Sequence, residues 1–552
     1  MASLSKRDQR VLGPFAGSGR ARPCLLAFVL ALSGCMVGPD YRRPAAPITP
    51  AYKELPGWTV ATPADALPKG EWWRVYNDPT LDALEREVDS GNQTLREFEA
   101  AYRLARAVVD EDRANLFPQA TSGFGVTRSG SGSSSNSTSL NSALTGGTST
   151  TAGATSTTTA GGLGGVASGV GCSGGTTGGT TATGTSATSF RSSSGPRTNF
   201  NLQGSLDWEI DVWGRIRRQV ENGVASAQAS AADVANARLS AQATLATDYF
   251  NLRSADAIIA LLNRTVADYQ RSLRITRNQY EAGVAARSDE LTAQVQLETT
   301  QAQLINAGIA RAQYEHAIAV LTGRPPAELS LPPTSLAHAI PQIPAVLPAT
   351  LLQRRPDIAS AERLMAAQNA LIGAAIGAYY PTISLSTLLT YSGSPLGSLI
   401  SAGNQLWSLG ASASEVLFAG GARTAQVVAA RATYDQSVAT YRQTVLTALQ
   451  QVEDQLAALR ILDEQLGVAT AAVTDSRRSV EITLNEYRAG TQAYTAVVTA
   501  QALALGNEQT LITLQQQRLV ASVALIQALG GGWSASELPS KNSLQQNQPF
   551  LP

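Results

Sequence analysis

Residues able to carry covalent or metal chemistry are scarce in this 552-residue chain: two histidines, His316 and His338, and three cysteines, Cys24, Cys35 and Cys172. A structural metal site typically takes about four such ligands, and a nucleophile needs a base beside it. The sequence holds no nucleophile elbow, phosphate loop or metal-ligand cluster. No metal or organic cofactor is expected, and the chain is not expected to be an enzyme. Cys35 stands apart by its position. It follows the basic residues Lys6, Arg7, Arg10, Arg20 and Arg22, the apolar run Cys24 to Leu32, and the small pair Ser33-Gly34. That order reads as a secretory signal over 1–34, with an apolar run too short to span a membrane.

Leu32-Ser33-Gly34-Cys35 looks like a bacterial lipobox. The chemistry implied is acylation: S-diacylglycerol on the Cys35 thiol and an N-acyl chain, such as palmitate, on its freed amine. Buried acyl chain anchors at ~0.8 kcal/mol per CH₂. Met36, rather than an aspartate, resembles the outer-membrane sorting signal. Cleavage removes five basic residues and one acid, so 42 against 42 becomes 37 against 41, a net −4. Cys172 is then the only free thiol, and no internal disulfide is expected.

The balanced charge excludes binding of nucleic acid by bulk electrostatics. Charged residues are 15% of the chain, below the usual ~25%, and mean hydropathy is −0.05. That is too polar for a bundle of membrane helices, and no mature stretch reaches the ~18 apolar residues a spanning helix needs. Length alone suggests three or four domain-sized units.

The elements that must position these residues are repeated. Tyr280-Glu281-Ala282-Gly283 recurs as Tyr487-Arg488-Ala489-Gly490, an offset of 207, which Gly214 and Gly421 and Gly323 and Gly530 share. Leu95, Glu99 and Pro118 match Ile358, Glu362 and Pro381 at an offset of 263. The offsets differ by 56, so the first copy carries about 56 extra residues. From Ser129 to Phe190 there is no charge, and only nine of 62 positions depart from Gly, Ser, Thr or Ala. Such a segment buries too little apolar surface to offset its ordering, and is expected to be a flexible loop insertion.

Strand patterns flank it. Phe200, Leu202, Gly204, Leu206 and Trp208 alternate with Asn199, Asn201, Gln203, Ser205, Asp207 and Glu209. Ala120, Ser122, Phe124 and Val126 alternate more weakly; Ile383, Leu385, Thr387, Leu389 and Tyr391 share one face, as do Trp407, Leu409, Ala411 and Ala413. These runs have the length of tilted membrane strands. Four strands cannot close a barrel, for which about eight is the minimum, so several chains must contribute. No proline interrupts Arg197 to Arg324 or Leu396 to Leu538. Helices of coiled-coil spacing are expected, one from about Gly214 to Tyr280 and its partner from about Ser288 towards Gly323, as in Leu262, Val266, Tyr269, Leu273, Thr276, Tyr280.

These motifs carry a resemblance. Cys35-Met36-Val37-Gly38-Pro39-Asp40-Tyr41, Trp72-Trp73 with Asn77-Asp78-Pro79, Trp208 to Arg217 and Arg354-Arg355-Pro356-Asp357-Ile358 are similar to those of outer-membrane efflux lipoproteins of the NodT type, in the TolC/OprM-like superfamily of channels serving resistance–nodulation–division pumps. The resemblance covers Cys35 to about Trp533 apart from the insertion. It implies a mainly α fold with a membrane β-barrel: a homotrimer of duplicated units whose antiparallel coiled coils form an α-barrel and whose strands close a 12-stranded barrel. It implies a lipid-anchored outer-membrane protein reaching into the periplasm, partnered by a periplasmic adaptor and an inner-membrane pump, exporting drugs or small solutes. A duct for type I protein secretion shares the fold; the lipobox and Val37–Tyr41 favour solutes. A structural lipoprotein without a pore is the reading from another class.

The resemblance also places a periplasmic gate at the helix tips, where a ring of like charges constricts the pore. The family's aspartates stand six or nine residues past the second-copy glycine; Ala496 and Thr499 occupy those positions here. The first copy keeps Asp289. The expected gate residues are therefore Asp289, Arg287, Tyr494 and Thr499, with Gly283 and Gly490 as helix-tip turns. Asp207, Glu209 and Asp211 read as lumen charges or a junction network, Arg355 and Glu362 as an ion pair, and His316 as structural. The organisation expected is a signal peptide over 1–34, a lipidated segment over 35–70, a first repeat over 71–325 and a linker over 326–350. A second repeat follows over 351–533, with a disordered tail over 534–552. Strands are expected near 118–128, 199–209, 382–391 and 406–416, with the insertion over 129–197.

Overall fold

The computed structural model describes residues 36–47, 49, 51–54, 71–129, 196–336 and 353–545. The signal peptide, Cys35, His338, Cys172 with most of the insertion, residues 337–350 of the linker and residues 546–552 lie outside them.

The helical unit opens on a single 3₁₀ turn, Trp72–Tyr76, and the short helix α1 (Pro79–Gly91). Asn77-Asp78-Pro79 starts α1: the Asp78 carboxylate accepts from the amides of Thr80 and Leu81, and proline needs no partner at a first helical position. Helix α2 (Gln93–Ala114) follows, then α3 (Arg215–Glu281) and α4 (Arg287–Leu321). The second copy supplies α5 (Pro356–Gly377), α6 (Ala422–Arg488) and α7 (Tyr494–Ala528). Helices α3 and α6 have 67 residues each, roughly 100 Å at 1.5 Å per residue. On α6, Tyr441, Val445, Ala448, Val452, Leu456 and Leu459 are buried, a stripe three or four residues apart that seats it on its neighbours. The largest core gathers Trp72, Trp73, Tyr76, Tyr249 and Phe250 with Leu525 and Ile526; the Tyr76 and Phe250 rings meet edge-on at 5.0 Å.

The duplication holds to single residues. Asn92 at the start of α2 donates to the carbonyl of Leu321, 2.9 Å away, and Arg355 before α5 donates to that of Ala528 at 2.9 Å. The first pair shifted by 263 and 207 gives the second. Beside them a Cβ on Gly323 would lie 2.1 Å from the Gly91 carbonyl oxygen, and one on Gly530 2.0 Å from that of Arg354, so both close approaches require glycine.

The tail is a correction. Ala535–Glu537 form a 3₁₀ turn and Lys541–Gln545 a short helix, α8, whose Leu544 packs with Val109, Val220 and Val224. Residues 534–545 are held by that burial and by Gln228 donating to the Pro539 carbonyl, a long-range contact that local composition does not reveal.

The strands β1 (Gln119–Ser129), β2 (Arg197–Ile210), β3 (Thr382–Gly393) and β4 (Gln405–Ser414) form one antiparallel sheet in that order. Its register sorts the two faces. Thr121 and Ser205 hydroxyls meet at 2.7 Å, the Asn199 amide donates to Ser392 at 3.0 Å, and Ser384 meets Ser412 at 2.8 Å, all from the polar sets. Phe124 stacks on Phe200 from the apolar sets. Trp407 and Leu409 are more than 70% exposed, so the apolar face is uncovered within one chain.

Candidate functional site

Each long helix ends the same way. Gly283 and Gly490 have φ of 74° and 75°, a left-handed conformation that closes the helix end. Val284 then donates to Gln279 at 2.8 Å and Thr491 to Glu486 at 3.0 Å, satisfying carbonyls the helix leaves open. Extended Ala286 and Ala493 launch the returning helices α4 and α7.

The tips of the two copies share a small core of Ala293, Tyr487, Tyr494 and Val497, edged by Leu273, Ile275 and Leu484. The Tyr487 and Tyr494 rings lie 5.1 Å apart. Burial pushes both hydroxyls up, and the half-buried Asp289 carboxylate adds to the effect on each. The Tyr487 hydroxyl is buried with no hydrogen-bond partner among the described residues. Asp289 and Tyr494 are thus brought together. Arg287 turns away: it pairs with buried Glu290 at 3.0 Å and stands over the Tyr280 ring at 5.3 Å. Arg277 also reaches Glu290, at 3.6 Å. Thr499 is exposed and its hydroxyl bonds back to Thr495, so it joins neither group. The sequence places Glu290 beside Asp289 and Tyr487 in the repeated turn, but neither they nor Arg277 were counted among the gate residues. Tyr487 was visible as the first residue of the repeated turn; the Glu290 pairings come from helices folded back on each other.

A groove of about 520 Å³ runs between α3, α6 and α7, lined by Arg264, Arg271, Arg477 and Arg488 against Asp268, Glu481 and Glu508. Paired and opposed charges make it polar without a dominant sign.

At the start of α3, the Asp211 carboxylate accepts from the amides of Ile216 and Arg217, at 3.1 and 2.9 Å, and Glu209 pairs with Arg215 at 2.7 Å. Asp211 and Glu209 are therefore engaged in the junction, whereas Asp207 borders a cavity of about 440 Å³ with Glu209 and Arg215. Arg355 and Glu362 are each paired but not with one another: Arg355 binds Asp357 at 2.7 Å, while Glu362 takes Arg363 at 2.6 Å and the Tyr41 hydroxyl at 2.9 Å. His316 is exposed on α4.

The long helices are closed at tyrosine-bearing tips, and the sheet is apolar on one face. The chain belongs to the outer membrane efflux protein family, whose model matches residues 175–324 and 347–531. It is similar to the probable efflux pump outer membrane protein TtgC of Pseudomonas putida, 28% identical over 92% of this chain and 94% of that one. The cation efflux system protein CusC of Escherichia coli is 27% identical, covering 93% and 99%. Among solved structures, the outer-membrane channel OprN superposes with a TM-score of 0.73 at 27% identity, over 90% of this chain and 100% of that one. The Campylobacter jejuni CmeC channel gives 0.75 at 21% identity, over 91% and 96%, and supports the fold. The protein is an outer-membrane efflux channel.

Proposed function

We propose that this chain works as a homotrimer, lipid-anchored through N-acyl and S-diacylglycerol groups on Cys35. It passively conducts drugs or small solutes delivered by an inner-membrane resistance–nodulation–division pump through a periplasmic adaptor. The observation that carries the reading is the sheet: one face apolar and uncovered, the other a ladder of paired hydroxyls and amides, with β1 and β4 as its two edges. A sheet with a lipid-ready face and two open edges is completed by further copies. Relatives named for antibiotic, toluene and cation efflux support solute rather than protein cargo. The glycine-closed tips are the surface offered to the adaptor, and Asp289 with Tyr494 forms the gate, flanked by Arg287 and, further along α7, Thr499.

The test is reconstitution. Purified full-length protein is expected to run with the mass of three chains and to open channels in planar bilayers, and Cys35→Ser to lose the acyl mass. A monomer, or a trimer without conductance, would contradict the reading.

A further inference from the structure

Charge is distributed unevenly along the chain. Between Arg113 and Asp207 the only charged side chains are Arg128, Arg191 and Arg197, and residues 364–414 carry none. Apart from Asp207 and Glu209 near the end of β2, the four strands and the segments joining β1 to β2 and β3 to β4 therefore hold cations without a single acid. We propose that Arg128 binds a phosphate of the glycolipid in the outer leaflet of the outer membrane, at the cell-surface end of the sheet. This rests on the channel reading above and adds a lipid contact to it.

Strands β1 and β2 place their arginines on opposite faces. Thr121 meets Ser205, and Asn199 meets Ser392, on the hydroxyl face. Side chains alternate, so Arg197 shares that face with Asn199. Arg128 falls on the apolar face with Phe124 and Val126, which are 59% and 52% exposed. Both arginines are exposed, and neither side chain has a hydrogen bond or ion pair among the described residues. The Gln119 end of β1 continues along the chain from the helical elements, whereas Ser129 leads into the insertion. Arg128 stands nine residues beyond Gln119, roughly 23 Å of height at 3.4 Å per residue and a tilt of about 40°. The apolar band of an outer-membrane barrel is about 25 Å tall, so Arg128 lies at its outer boundary. The stacked rings of Phe124 and Phe200, 6.5 Å apart, lie just inside it, where aromatic side chains mark the head-group level.

An arginine at that level lacks its usual partner. No strand of this chain carries a carboxylate at that end, and a second copy laid against β1 brings none, because its strands are the same ones. The counter-charge must come from outside the protein. The surface leaflet offers phosphate, and a guanidinium takes two phosphate oxygens at once through parallel N–H donors. The stem of Arg128 lies along apolar side chains and acyl chains while its head reaches the polar layer. Arg197, on the other face, has no lipid beside it and serves as the internal contrast.

The test uses purified full-length protein in detergent, with bisphosphorylated lipid A as the probe and binding read by native mass spectrometry. Arg128→Gln is expected to weaken binding about five-fold, the effect of one arginine at an anionic lipid surface. Arg128→Lys is expected to restore most of it, and Arg197→Gln to leave it unchanged. Equal retention of lipid A by wild type and Arg128→Gln would overturn the contact, as would an equal loss in Arg197→Gln. Displacement of the lipid by millimolar inorganic phosphate would reveal a free-anion site and overturn the lipid assignment. The same spectra report the oligomeric state. A trimer that fails these arms would leave the channel reading standing, whereas a monomer would overturn both.

Discussion

The guanidinium of Arg218 donates from Nη2 to the carbonyl oxygen of Gly38 at 3.1 Å, and from Nε to that of Val37 at 3.2 Å. Arg218 is 1% exposed and Glu221 takes its remaining nitrogen at 2.7 Å. Asp40 is also in reach, but at 88% exposure its pairing is screened and contributes little. The residues that directly follow Cys35 are therefore pinned to the first turns of α3 by a buried cation. Val37 also donates to the Trp213 carbonyl, and Asn369 to that of Pro39.

Replacing Arg218 by alanine leaves two carbonyls without their donor, and Glu221 with only the exposed Lys541 at 3.9 Å. Leaving buried hydrogen-bonding groups unsatisfied costs about 1–3 kcal/mol. Melting is expected to fall accordingly, with residues 36–47 becoming open to limited proteolysis while the helices persist. Unchanged digestion of that segment would show that other contacts hold it.

Gly530→Ala is expected to be strongly destabilising. Its φ is 96°, and the new methyl would fall 2.0 Å from the Arg354 carbonyl oxygen. The backbone conformation alone costs on the order of 1–3 kcal/mol. Gly467, inside α6 with nothing near its missing Cβ, is the contrast: alanine there is expected to stabilise by about 0.5–1 kcal/mol. Equal melting temperatures for the two variants would refute the assignment.

Glu85 is fully buried, and neither carboxylate oxygen has a partner among the described residues. Burial, with the nearby Asp89 charge, holds its carboxyl well above the ordinary 4.5. The folded chain thus binds a proton that the unfolded chain releases. Stability from this group is complete below pH 4.5 and declines as pH rises towards the raised folded value, at up to about 1.4 kcal/mol per pH unit. Glu85→Gln is expected to flatten the fall in denaturation midpoint from pH 4.5 to 8; Asp89, raised in the same sense by burial, keeps part of it. An identical slope in the variant would exclude Glu85 as its source.

For the gate, Asp289→Ala is expected to raise single-channel conductance of the reconstituted protein. Tyr494→Leu removes the ring packed on Tyr487 and is expected to act in the same direction. Conductance equal to wild type in Asp289→Ala would remove the carboxylate from the gate.

What the sequence revealed was local or periodic. The four strands begin and end within two residues of the expected bounds, because a period of two is written into consecutive residues. Helix α3 was expected from Gly214 to Tyr280 and spans Arg215–Glu281, since glycines mark both ends. Pairings between distant residues were not legible. Arg355 and Glu362 stand seven apart and looked like partners, yet each found a nearer carboxylate or cation. At the tips, Asp289 and Tyr494 were found as residues, but the role of Glu290 in holding both Arg277 and Arg287 depends on how the helices fold back. The tail looked disordered because one leucine, Leu544, does the anchoring, and a single apolar residue makes no period.

The hydroxyl ladder of the sheet has a kinetic meaning. Thr121 with Ser205, Ser384 with Ser412 and Asn199 with Ser392 spend their hydrogen bonds on each other. Facing the lumen of the proposed channel, a wall already satisfied in this way offers passing molecules few groups to hold, so chemically unlike solutes meet similar friction and none lingers.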